Sequence, residues 1–391
     1  MSDLLVTDIG CLVTNVATFD GTPLGVVHDA AFMVTAGKVS WVGANSAAVA
    51  GDYKNVISAN GKTVIPGFVD SHNHLIFAGD RADEFSARMQ GMPYTAGGIN
   101  YTVEKTRSAS TQELRANAAG LVHEGLRTGT TTVEIKSGYG LNIDQEKRSL
   151  EIAHEFTEEI TFLGAHVVPV EFKTVPDDYV AMVCGPMLDA VAPIAKWIDV
   201  FCDRGAFTPA QTRRILHAGI VKGLRPRLHA NQLEPGEGIK VGVELDAASV
   251  DHISYYSDSD LAALAGSNTV ATFLPGAEFS TRSKYPDARP MLEAGIMVAI
   301  ASDCNPGSSY STNMSFMIAL AVRELFFTPA QALWSATKGG ALALRRNDIG
   351  HLSVGANADF AILQSDSYLH LAYRPGVNLI EQVWQNGNRV N

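Results

Sequence analysis

His72 and His74 stand two positions apart where the apolar run VIPGFVDSHNH (64–74) ends. In an extended segment, residues i and i+2 face the same side, so both imidazoles can reach one point. Further along, His229 falls in RPRLHAN, His252 in SVDHIS and Asp303 in MVAIASD, each at the end of another strand-like run. Three neutral imidazoles and one carboxylate make a nitrogen and oxygen donor set that suits zinc or ferrous iron. The bland alternative for His72 and His74 is a pair of histidines hydrogen-bonded inside a strand end. The equivalent placement of His229 and Asp303 argues against it. His166, at the end of ITFLGAHVV, reads either as a site residue or as a satisfied core histidine. His252 reads the same way, with Asp251 before it. Glu134 and Lys136 close TTVEIK, and Tyr139 follows in the next turn. Tyr94 and Tyr139, on loops, are either site groups or half-exposed aromatics.

The frame that would position these residues alternates. Candidate strands are 64–70, 131–136, 160–168, 198–203, 225–231, 249–254, 269–275 and 297–303. Helical patterns separate most of them, with N-cap signals at Asp144 and at Thr208-Pro209. Strands with helical or looped crossovers predict an α/β fold, a (β/α)8 TIM-type barrel over 63–351. Active sites of such barrels form at the C-terminal strand ends, where the polar residues above fall. An open doubly wound sheet would want a glycine-rich phosphate turn after its first strand, and none is present. Both chain ends carry short alternating segments, LLVTDIGCLVTNV (4–16) and AAFMVTAGKVSWVGA (30–44), then GANADFAIL (355–363) and QVWQNGNRV (382–390). They predict a small composite β-sandwich domain from 1–62 plus 352–391, and Asn386-Gly387 signals a type I′ hairpin.

Bulk properties narrow the partners. A formal net charge of −11 disfavours nucleic acid and anionic membrane, which both need a basic footprint. Cys11, Cys184, Cys202 and Cys304 form no CxxC pair and read as reduced thiols. The acidic start MSDLLVTDIG is unlike a signal peptide, and no apolar run approaches a membrane span. The expectation is a cytoplasmic protein acting on a small molecule.

PGFVDSHNH resembles the first metal motif of the amidohydrolase superfamily, with His229, His252 and Asp303 at the later strand ends. Within it, HLIFAGDRADEF (74–85), EIKSGYGL (134–141), TFLGAHVVPVEF (161–172), HANQ (229–232), VDHIS (250–254) and DCNPGSS (303–309) resemble the imidazolonepropionase family. The resemblance implies a barrel with a composite β domain, a homodimer, and one divalent metal per subunit, zinc or iron, on His72, His74, His229 and Asp303. It implies hydrolytic opening of 4-imidazolone-5-propanoate to N-formimidoyl-L-glutamate in histidine degradation. Arg81, Tyr139, His166 and Gln232 would contact substrate, with Tyr94 added as a nearby aromatic, and Asn305, Gly307 and Ser308 would contact product.

That chemistry agrees with the residue types. A metal lowers the pKa of bound water and polarises a carbonyl, and His252 and Asp303 are the candidates to carry the proton to the leaving nitrogen. Arg81 offers a planar fork for a carboxylate; its bland reading is a surface ion pair with Asp80 or Glu84. Where some members of the family carry glutamate, this chain has Gln232, which cannot act as a general base. Three rivals remain. A mononuclear deaminase of the same superfamily wants a glutamate at position 232. A two-metal cyclic amidase wants a bridging lysine at the end of 198–203, where there is none. A barrel serving only as an interaction protein would not be expected to keep all four ligand positions.

Overall fold

The computed structural model describes residues 2–48, 51, 53–92 and 98–391. The chain divides into two compact units, one of residues 1–70, 123–132 and 313–391, the other of 71–122 and 133–312.

In the first unit, both chain ends build one eight-stranded sheet. Its order is Asn388–Arg389, Ile380–Gln385, Phe360–Leu363, Thr63–Pro66, Ser2–Val13, Val26–Thr35 and Lys38–Ala44, with Tyr53–Ser58 also paired to Ser2–Val13. Phe32 and Phe360 lie three strands apart in that order, yet their ring centroids are 5.0 Å apart. Adjacent strands are spaced about 4.8 Å, so the sheet curls over itself and closes a core of Leu4, Val6, Ile9, Leu12, Val34, Val64, Ile362 and Trp384. Asn386 and Gly387 both have positive φ and join the last two strands in register Gln385↔Asn388, the expected primed hairpin turn. Expected strands 131–136 and 225–231 are each split in two, and so is 64–70. Thr63–Pro66 joins the terminal sheet, while Phe68–Asp70 pairs with Thr130–Val133. Gly67 marks the break: a Cβ there would come within 2.2 Å of Thr131 Oγ1.

The second unit carries the parallel sheet. Its strands, in spatial order, are Ile135–Lys136, Ile160–Ala165, Trp197–Cys202, Leu228–Ala230, Ser249–His252, Val270–Phe273 and Val298–Ile300. Each of these neighbouring pairs runs parallel. Residues 72–74 tie the sheet's two edges together. The Asp303 N–H donates to His72 O and the His74 N–H to Cys304 O, both at 3.0 Å, while the Lys136 N–H donates to Asn73 O at 2.8 Å. The barrel therefore closes at the mouth, where the polar residues stand. Helix Pro209–Val221 starts at the expected cap, a capping box of Thr208 and Gln211. Helix Ile143–Ala153 starts two residues earlier than expected, because Asn142, not Asp144, accepts the Gln145 N–H.

Candidate metal centre and substrate cleft

Four donor atoms converge at the mouth. His74 Nε2 lies 3.3 Å from His72 Nε2 and 3.3 Å from His229 Nε2. Asp303 Oδ1 lies 3.6 Å from His72 Nε2 and 3.4 Å from His74 Nε2. Two buried aspartates orient the rings. His72 Nδ1 donates to Asp251 Oδ2 at 2.8 Å, and His229 Nδ1 to Asp199 Oδ1 at 3.0 Å. Those bonds turn the lone-pair nitrogens inward, the arrangement that outer carboxylates impose on ligating histidines. Each aspartate is held by a fully buried cation: Lys136 Nζ sits 2.9 Å from Asp199 Oδ2, and Arg227 Nη2 sits 3.3 Å from Asp251 Oδ2.

His72 and His229, whose Nδ1 protons go to the aspartates, turn Nε2 lone pairs towards this point, and a cation there would satisfy them. Ligands about 2.0–2.1 Å from a tetrahedral ion stand roughly 3.3–3.4 Å from each other, close to the edges found here. The protonation states suit the same role. Burial, with added repulsion from Lys136 and His229, holds His72 well below the usual imidazole range; burial and His166 do the same for His74. Both are thus neutral, the form that binds metal. Burial pushes Asp303 well above the usual carboxylate range, against its bonds from Ser308 and Asn305, so its anionic form calls for a cation. The donor set fits a divalent metal.

His252 stands over the same centre, its ring centroid 5.2 Å from that of His229 and 5.6 Å from that of His72. Its Nδ1 is buried with no hydrogen-bond partner among the described residues. His252 has φ 77° and Asp303 φ 51°, in left-handed backbone that non-glycine residues rarely occupy. The strain turns both side chains into the mouth.

A cleft opens from this centre, lined by His74, Arg81, Ile99, Tyr139, His166, Val167, Phe201, His229, Gln232, His252, Asp303, Asn305 and Ser308. His166 stacks on His74 with centroids 5.2 Å apart and donates Nδ1–H to Gly138 O at 3.0 Å. Burial lowers His166 to about 3, so it is a neutral wall of the cleft. The Tyr139 ring lies 5.4 Å from His166, on a loop whose Gly140 and Leu141 N–H groups donate to the buried Glu146 carboxylate. Gln232 is set by its N–H donating to Asp203 Oδ2 at 2.7 Å. Arg81 is buried and gripped in two places by Glu84, so the expected pairing with Glu84 exists, but at the cleft wall and not on the open surface. Gly307 contributes its backbone, donating N–H to Asn305 Oδ1. Tyr94 lies outside the described residues.

Sequence reasoning missed Asp199 and Arg227. A charged residue inside an apolar strand, as Asp199 is in IDVFCD, was the one signal available.

The amidohydrolase family profile matches residues 213–390. Over its full length the chain is 60% identical to the imidazolonepropionase of Mycolicibacterium smegmatis, covering 98% of that protein. It is 61% identical to that of Salinispora arenicola, with 99% of this chain and 98% of the relative aligned. The chain belongs to the imidazolonepropionase family. Solved structures share the family's wider fold. A zinc-bound adenosine deaminase from Xanthomonas campestris superposes with a TM-score of 0.73 at 19% identity, over 99% of this chain and 92% of that one. A guanine deaminase from C. acetobutylicum does so with a TM-score of 0.71 at 15% identity, over 99% of each chain. At such identities the likeness speaks for the amidohydrolase fold alone.

Proposed function

We propose that the chain hydrolyses 4-imidazolone-5-propanoate to N-formimidoyl-L-glutamate, the ring-opening step of histidine degradation, with His72, His74, His229 and Asp303 holding one divalent metal. The observation that carries this reading is a four-donor centre in the same cleft as a buried arginine. The names of relatives at 60% and 61% identity over nearly the whole chain support it. The bound metal supplies Lewis-acid chemistry, activating water and polarising the ring carbonyl.

The protein's own groups do the rest. Arg81 binds the propionate carboxylate, leaving the ring between Tyr139, His166 and Gln232. Gln232, a donor and acceptor of fixed charge state, hydrogen-bonds the ring edge and moves no proton. Burial, reinforced by His229, holds His252 well below the usual imidazole range, so it rests neutral, with a lone pair free for the attacking water. It takes the proton of the attacking water together with Asp303, then returns it to the ring nitrogen as the C–N bond breaks. Asn305 and Ser308, which line the cleft beside Asp303, contact the open product, and Gly307 shapes their loop through its backbone. Zinc and iron both suit the donor set, and we read the enzyme as a cytoplasmic homodimer, whose oligomeric state light scattering on the purified chain checks.

The test is a substrate panel of imidazolone propionate, hydantoin propionate and cytosine, with bound metal measured on the same preparation. Ring opening of the first without ammonia release is expected. Ammonia from cytosine, or a metal-free chain, would refute the reading.

A further inference from the structure

Arg88, on helix Ala82–Met89, is 2% exposed and does not line the cleft. A guanidinium buried that far must be matched by acceptors. Its Nη1 donates to Gly307 O at 2.7 Å, and its Nη2 lies 2.9 Å from Glu84 Oε1. The same Glu84 carboxylate takes Arg81 Nε at 2.5 Å and Nη2 at 2.7 Å. From Gly307 the connection runs on to the metal end: Gly307 and Ser308 donate their N–H groups to Asn305 Oδ1, both at 2.8 Å, and Ser308 Oγ donates to Asp303 Oδ2 at 3.1 Å.

We propose that Arg88 is a positioning residue that ties the carboxylate-binding Arg81 to the loop bearing Asp303, and that this tie sets the length of acidic side chain the enzyme accepts. The proposal rests on the reading of Arg81 as the carboxylate anchor. Two guanidiniums share the single Glu84 carboxylate, which leaves a positive surplus in favour of an anionic occupant. The space beside Arg81 is closed on two sides. A Cβ on Gly98 would fall 2.0 Å from Arg81 Nη2, and one on Gly307 would fall 2.1 Å from Arg81 Nη1. The anchor thus has little freedom to follow a shorter or longer chain. The scissile amide must meet the Asp303 end while its carboxylate meets Arg81, and a misplacement of about 1 Å at a reacting centre can cost on the order of a hundredfold in rate. A rigid tie between the two ends therefore discriminates by chain length.

Parent, Arg88→Lys, Arg88→Met and Glu84→Gln enzymes are compared on the propionate substrate and its acetate homologue, one methylene shorter, with metal content and melting temperature alongside. Arg88→Lys keeps the charge but not the two-armed bridge. KM for the propionate substrate should rise roughly tenfold, the effect of one lost hydrogen bond to a charged group, with a smaller fall in kcat. The kcat/KM preference for propionate over acetate should shrink. If Arg88→Met does not fold, Arg88→Lys and Glu84→Gln decide the question. Unchanged KM and unchanged preference in the folded, metal-loaded variants would overturn the tie. Arg81→Lys on the same substrates separates the two ideas. Unchanged KM there refutes the anchor itself, whereas raised KM beside unaffected Arg88 variants refutes the tie alone.

Discussion

His252 is held differently from His72 and His229, two of the proposed metal donors. His72 and His229 have their outer nitrogens committed to Asp251 and Asp199, which leaves one nitrogen each for a metal. His252 has no such orienting carboxylate, and its Nδ1 is unpartnered among the described residues. It is held instead by strained backbone at φ 77°. If His252 carries the proton as proposed, a ring that accepts and releases it is better served by that support than by a fixed bond to an anion. His252→Asn keeps a polar group of similar reach but cannot exchange a proton near neutral pH. The expected result is parental metal content with kcat lowered by roughly 10²–10⁴, the usual span for a lost general acid–base. Metal loss in this variant would make His252 a ligand; near-normal turnover would leave the proton to Asp303 alone.

At the scale of elements, what the sequence disclosed follows from local rules. Strand ends were legible because alternation places His72 and His74 on one face, and because TTVEIK, IDVFCD and SVDHIS are short apolar runs closed by polar residues. The Thr208 cap and the Asn386-Gly387 turn are equally local. What stayed hidden depends on partners far away in the chain. Asp251 reaches back to His72 and Arg88 reaches forward to Gly307, and no periodicity encodes either contact. The break at Gly67 was hidden for the same reason, since its cause is Thr131. The loop 303–309 shows how closely elements fit. Gly307→Ala would place a methyl group 2.1 Å from Arg81 Nη1, and the guanidinium could clear it only by giving up its place between Gly98 and Gly307. We expect parental metal content and a KM raised roughly tenfold or more. An unchanged KM would mean that Arg81 does not hold the substrate where the cleft places it.

At the scale of the whole molecule, the barrel unit has an unusual amount of charge at its centre. Glu134, Lys136, Asp199, Arg227 and Asp251 are all fully buried, and ion pairs so placed recover little more than their own desolvation. They make sense as the frame of the donor cluster, whose inward lone pairs a cation would satisfy. Metal binding should therefore act as folding free energy for this unit. A ligand at a hundred times its dissociation constant adds about 2.7 kcal/mol. For a unit of this size that corresponds to a rise of roughly 5–10 °C in its melting step. With two compact units in the chain, the melt need not be a single transition, so the comparison is made by calorimetry on holoenzyme, chelated enzyme and enzyme reloaded with zinc. The reloaded sample should regain the holoenzyme's transition. His72→Ala and Asp303→Ala should fold, melt like the chelated parent and fail to respond to added zinc. If either variant retains full metal, or if chelation leaves the parent's melting curve in place, these residues do not hold the ion.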